Sequence, residues 1–131
     1  MQSARLLVVD DERPIVSAIK QYFEGLGYGV DTAADVASAR ARLAERFYAV
    51  VIADLRLSRG DETAGLEVVA AACAAAADTR VIVLSAHVSP EHENLARRGG
   101  AHAFISKPCP LAELARVAAV LAGGAAQARR S

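Results

Sequence analysis

The chain has 131 residues and a mass of 13.7 kDa, a size that fits one compact domain rather than two. With 53% hydrophobic and 23% charged residues it can bury a sizeable core, which excludes wholesale disorder. Fifteen basic and fifteen acidic residues cancel, which excludes the electrostatic footprint of a protein that grips nucleic acid or an anionic membrane. In chain order, the first predicted strand is Arg5–Val9 (RLLVV), nearly continuous in apolar residues. The segment Pro14–Leu26 then puts Ile15, Ile19, Phe23 and Leu26 on one helical stripe. Gly29–Ala33 reads as a weaker strand, and Val36, Ala39, Leu43 and Phe47 as the stripe of a second helix. Tyr48–Ala53 (YAVVIA) is the third strand. Leu66, Val69, Ala70 and Cys73 begin a third helix that runs to about Ala77. The fourth strand is Arg80–Leu84. After it, Ser89-Pro90-Glu91 supplies an N-cap and a proline at the first helical position, opening a short polar helix that ends at Arg97-Arg98-Gly99-Gly100. His102–Ser106 is the last strand, and a fifth helix begins at Pro110 with Leu111, Leu114, Val117 and Leu121 on its apolar side. Beyond Ala122 the run of Gly, Ala, Gln, Arg and Ser is expected to be a flexible tail or linker, so the domain is expected to span 1–122 and the tail 123–131.

A strand followed by a helix, five times over, calls for right-handed crossovers and a parallel sheet covered on both faces. The units are too few for an eight-stranded barrel, so the reading is an α/β fold with a doubly wound open sheet. With 5% aromatic residues and no Trp, its core must come from Val, Ile, Leu and Ala. The leading apolar run Leu6–Val9 stops at Asp10, too short for a signal peptide or a transmembrane helix. Cys73 and Cys109 lack CxxC spacing, which argues against a zinc site or a disulfide framework. A cytoplasmic domain without membrane contact is the expectation.

In an open parallel sheet, ligands bind beyond the carboxyl ends of the strands. Here the first strand is followed by Asp10-Asp11-Glu12, the third by Asp54, the fourth by Ser85 and the fifth by Lys107-Pro108. Any one of these is an ordinary turn former. Four together point to a site. Carboxylates of Asp10, Asp11 and Asp54 gathered in one crevice would repel, each pair about 4 Å apart costing about 4 kcal/mol at an effective dielectric near 20. Such a cluster needs a cation, and oxygen-only ligands select a hard one, Mg²⁺ above all. Lys107 adds a mobile positive charge and Ser85 a short hydrogen-bond donor. Cation, ammonium and hydroxyl converging on one carboxylate suit phosphoryl chemistry, with Asp54 as the nucleophile that becomes an acyl phosphate.

The blocks LLVVDDE (6–12), VVIADLRL (50–57), VIVLSA (81–86) and AFISKP (103–108) resemble the signature blocks of bacterial two-component response-regulator receiver domains. Their order and spacing carry the resemblance: 43 residues from Asp11 to Asp54, 31 on to Ser85 and 22 on to Lys107. The resemblance implies a flavodoxin-like sheet of five parallel strands in order 2-1-3-4-5. It implies that Asp54 accepts a phosphoryl group from a histidine kinase or phosphotransfer protein. It also implies that Asp11 ligates Mg²⁺ directly and Asp10 mainly through water, with Asp54 and the backbone carbonyl of Arg56 completing the protein's share. Lys107 would pair with the phosphate and join Pro108 through a cis bond. Ser85 matches the switch hydroxyl, Phe104 the aromatic switch position, and Ala86 the small residue beside the site. By the same resemblance, phosphorylation changes the face formed by the fourth helix, fifth strand and fifth helix, a face that also allows a homodimer. The only catalysis implied is the domain's own phosphotransfer and autodephosphorylation.

Two features depart from the pattern. The segment from Leu57 to Gly65 lacks the common proline and is longer than usual, as in receivers fused to hybrid histidine kinases. Arg56 and His87, two residues beyond Asp54 and Ser85, occupy positions that bear on acyl-phosphate lifetime. Other readings compete. A haloacid-dehalogenase phosphatase needs a DxD pair, and position 56 is Arg. A flavodoxin-type, dinucleotide or P-loop site needs a glycine- or hydroxyl-rich phosphate loop after the first strand, where Asp10 and Asp11 stand. A degenerate receiver that binds a protein partner without phosphorylation remains the alternative. His87, His92 and His102 read as surface or loop residues, and Arg97-Arg98 as a solvated helix end.

Overall fold

The computed structural model describes residues 4–55, 62–86 and 89–130, with side chains for 4–55, 64–86 and 89–123. The elements are β1 (Arg5–Val9), α1 (Arg13–Gly25), β2 (Gly29–Ala33), α2 (Val36–Glu45), β3 (Val50–Asp54), α3 (Glu62–Ala75), β4 (Arg80–Ser85), α4 (Pro90–Arg98), β5 (Ala103–Ser106) and α5 (Leu111–Arg130). All strand pairs are parallel, and the sheet order is β2-β1-β3-β4-β5. This is the flavodoxin-like arrangement that the resemblance implies.

Successive side chains of a strand point to opposite faces, and here both faces are covered. Leu6, Val8, Val50, Ile52 and Ile82 pack with Ile19 and Phe23 of α1 and Leu114 and Ala118 of α5. Leu7, Val9, Val51, Val81 and Val83 pack on the other side with Ala39, Val68, Ala72 and Ala96 from α2, α3 and α4. The small alanines on that second side let the helices lie close to the sheet. Helix starts follow the sequence signals. The Asp35 carboxylate accepts from the Ser38 N–H at 2.8 Å, and the Ser89 hydroxyl from the His92 N–H at 3.2 Å, with Pro90 just inside α4. Gly27 and Gly100 adopt φ of 100° and 115°, which turn α1 into β2 and α4 into β5.

Three boundaries differ from the sequence expectation. Helix α2 ends at Glu45, so Phe47 does not extend its stripe and is 39% exposed, whereas Tyr48 turns fully inward. The physical reason is polar: the Tyr48 hydroxyl donates to Asp31 Oδ2 at 2.6 Å, and Arg5 and Arg46 flank the same carboxylate at 3.3 and 3.6 Å. This network stops the helix, and β3 begins at Val50 rather than Tyr48. At the other end, α5 continues to Arg130, through the segment expected as a tail.

Helix α3 lies against the end of β3. A Cβ placed on Gly65 would sit 2.5 Å from both Cα and the carbonyl carbon of Leu55, the residue after Asp54. Only glycine lets the helix approach so closely. Gly65→Ala is therefore expected to lower stability by about 1–3 kcal/mol in urea unfolding, with amide shifts centred on Asp54 and Leu55. A wild-type midpoint and unshifted amides would mean that α3 has room to move.

Candidate functional site

Strand register assembles the site. Val9 lies beside Ala53, Asp54 beside Leu84, and Ser85 beside Ser106. Asp10, Asp54, Ser85 and Lys107 therefore meet along one carboxyl edge, at the crevice where β2 and β3 flank β1. Backbone bonds fix their roots. The Asp10 N–H donates to the Ala33 carbonyl at 3.1 Å, and the Lys107 N–H to the Ser85 carbonyl at 2.8 Å. The bond from Lys107 to Pro108 is cis.

At the centre, the Lys107 ammonium lies 3.1 Å from Asp10 Oδ2 and 3.2 Å from Asp54 Oδ2. The two carboxylates are only 4% and 6% exposed, and the lysine side chain 12%. Burial alone would lower the lysine pKa. The hydrogen bond and charge of Asp10, joined by those of Asp54, outweigh it and hold the ammonium above its ordinary value. The ammonium is thus firmly protonated at neutral pH.

A third carboxylate reaches the cluster. Glu12 Oε1 stands 3.5 Å from Lys107 Nζ, and the Glu12 N–H donates to Asp10 Oδ1 at 2.9 Å. Among the described residues, Asp10, Glu12 and Asp54 form a group in which one carboxylate oxygen from each lies within 4.8 Å of the others. Such an all-oxygen set suits a hard divalent cation. Asp11 is not in this group. It is exposed and lines, together with Asp10, Arg13, Lys20 and Thr32, an adjoining cleft of about 340 Å³. The sequence reading gave Glu12 no role, although its place in an unbroken acidic triplet was a usable signal.

Ser85 is fully buried as the last residue of β4, and Ala86 beside it is exposed. Phe104 is half-buried against the α2–α4 layer, level with Val83. Arg56 and His87 lie outside the described residues. His102, expected as a surface or loop residue, is exposed and accepts the Val81 N–H on Nδ1 at 3.0 Å, beside the start of β5. Partial burial of the ring on the Val81 side and the nearby Arg80 hold its pKa low. Arg97 pairs with Glu93 on the exposed face of α4. No helix among the described residues is long and apolar enough to cross a membrane.

A parallel sheet in this order, carrying acidic residues and a lysine on its carboxyl edge, defines a CheY-like signalling domain. The chain belongs to the response regulator receiver domain family, whose model matches residues 6–119. It is 33% identical over 118 residues to the alginate biosynthesis transcriptional regulatory protein AlgB of Pseudomonas aeruginosa, covering 90% of this chain and 26% of that protein. It is 35% identical over 120 residues to the transcriptional regulatory protein PrrA of Mycobacterium tuberculosis, covering 91% and 50%. The chain thus spans half or less of the length of these two relatives. Among solved structures it resembles a CheY-like response regulator receiver domain protein from Methanospirillum hungatei, with a TM-score of 0.89 at 25% identity, covering 96% and 98% of the two chains. NtrX from Brucella abortus gives a TM-score of 0.85 at 29% identity over 98% of this chain and 28% of that one. The chain is therefore a receiver domain of the two-component type.

Proposed function

We propose that the domain is a phosphoryl-accepting switch in which Asp54 takes a phosphoryl group from a histidine kinase or phosphotransfer protein in the presence of Mg²⁺. The observation that carries this reading is the Lys107 ammonium held between two buried carboxylates, Asp10 and Asp54. A carboxylate oxygen of Asp54 attacks phosphorus, the donor's P–N bond breaks, and a mixed anhydride forms on the aspartate. Asp10, Asp54, Asp11 and the Arg56 carbonyl would hold the Mg²⁺, which neutralises charge on the phosphoryl oxygens when bound. Lys107 would exchange part of its pairing with the carboxylates for the new phosphate, and the Ser85 hydroxyl would donate to another of its oxygens. Phosphorylation brings nearly two negative charges and three strong acceptors. That change biases two arrangements of the α4–β5–α5 face, where Leu95 and Val120 expose apolar side chains, 46% and 67% exposed, to a protein partner or a second copy. Hydrolysis of the anhydride by the domain itself resets the switch. Such a domain works in the cytoplasm, within reach of kinase phosphoryl groups, and contacts neither nucleic acid nor membrane itself.

Beryllofluoride, a phosphoryl mimic, tests the reading by NMR. With Mg²⁺ it is expected to shift the amides of Ser85, Phe104 and Lys107, and without Mg²⁺ to leave them unmoved. Spectra indifferent to the mimic would leave a phosphorylation-independent binding module as the function.

A further inference from the structure

We infer that His102 is a pH-operated clip: its neutral ring holds the start of β5 to β4, and protonation of the ring releases that end of the strand. The clip needs no phosphoryl group and stands apart from the chemistry at Asp54.

Strand register shows what the ring replaces. Ile82 pairs with Ala103, so one step back Val81 stands opposite His102. In a continued parallel ladder the Val81 N–H would go to the carbonyl of Ala101. Here it goes to Nδ1 of the His102 ring at 3.0 Å, while the Val81 carbonyl accepts the His102 N–H at 2.8 Å. The imidazole thus stands in for a main-chain carbonyl. The turn out of α4 accounts for this. Gly100 has a φ of 115°, its carbonyl faces the Cys73 thiol at 3.5 Å, and the Ala101 N–H donates back to the Ala96 carbonyl at 3.0 Å.

Val81 is fully buried, and a buried N–H without an acceptor is costly. A neutral imidazole keeps a lone pair on Nδ1 when Nε2 carries the hydrogen; an imidazolium carries hydrogens on both and accepts nothing. His102 is exposed, so protons reach the ring from water. At the edge of the sheet, β5 pairs with β4 alone among the described strands, so the lost rung has no substitute on the far side. Partial burial and then Arg80, at the head of β4, favour the neutral ring. On the flanking helices, Arg97 of α4 pairs with Glu93, Arg98 is exposed, and the Cys73 thiol of α3 is turned to Gly100. In α5, Val117–Ala122 carries no titratable side chain, and Asp78 lies in the turn before β4. Folding therefore lowers the ring's pKa: the bond is whole above the ordinary value and is lost as pH falls through the lowered one.

Amide hydrogen exchange at Val81, corrected for the intrinsic rate at each pH, tests the clip between about pH 5 and pH 8, with the His102 ring titrated by NMR in the same samples. In wild type, Val81 protection is expected to fall about tenfold or more relative to Val83, in step with ring protonation and below the ordinary value of 6.5. Asparagine places an oxygen close to the position of Nδ1 and does not titrate, so His102→Asn is expected to show no pH step. Protection kept at every pH, or low at every pH, supports the clip in that variant, since the acceptor is either replaced or lost outright. A step that persists in His102→Asn overturns the inference, because the titrating group is then elsewhere. Wild-type Val81 protection that ignores ring protonation overturns it without any variant.

Discussion

Asp54→Asn is expected to abolish labelling by a small-molecule phosphodonor such as acetyl phosphate with Mg²⁺, while wild type gains one phosphoryl group by intact mass. The carboxamide has nearly the shape of the carboxylate, so the buried end of β3 keeps its packing. Its nitrogen is not nucleophilic, and its oxygen carries no full charge with which to attack phosphorus. One of the two buried anions that face Lys107 is also gone, and the proposed Mg²⁺ site would lose a ligand with it. Loss of the nucleophile alone suffices for a null result, and the other two changes act in the same direction. Retained labelling at the wild-type rate would place the acceptor on a different side chain.

Lys107→Met has the second large effect, and it appears first in stability. Without the ammonium, Asp10 and Asp54 remain buried with the cation between them removed. Removing one partner of a buried ion pair costs about 3–5 kcal/mol, since the remaining charge is left in a poor solvent. Urea unfolding without Mg²⁺ should show a loss of that order. Millimolar Mg²⁺ should restore part of it, because a ligand that binds only the folded state stabilises it by mass action. The pH dependence has a definite sign. Lys107 has a pKa raised by folding, so its contribution is complete below the unfolded lysine value and disappears as pH rises through the folded one. The gap between wild type and variant should stay flat around neutrality and close only in strong alkali. A variant as stable as wild type in the absence of Mg²⁺ would mean that the carboxylates do not depend on the ammonium.

Most of the fold was legible in the sequence because β1, β3 and β4 are buried on both faces and read as nearly unbroken apolar runs. The site was legible for a related reason. Each of those runs ends abruptly in a residue that has no place in a core, and parallel pairing brings such ends together. What escaped depended on contacts between distant segments. Phe47 fits the α2 stripe by spacing, yet Tyr48 is drawn inward by Asp31, seventeen residues earlier, and the helix stops short. The Gly-Gly pair after Ala122 has low helix propensity, yet α5 continues through it. Propensity is a weak prior there, outweighed by a helix already nucleated on Leu114 and Ala118. Glu12 was hidden by its neighbours: in an acidic triplet only the backbone path decides which side chain turns toward the lysine and which faces water.

The hydrogen bond from the Lys107 amide to the Ser85 carbonyl ties two hooks to one hanger. That 2.8 Å contact fixes the ends of β4 and β5 relative to each other, so the Ser85 and Lys107 side chains spring from one shared, rigid root.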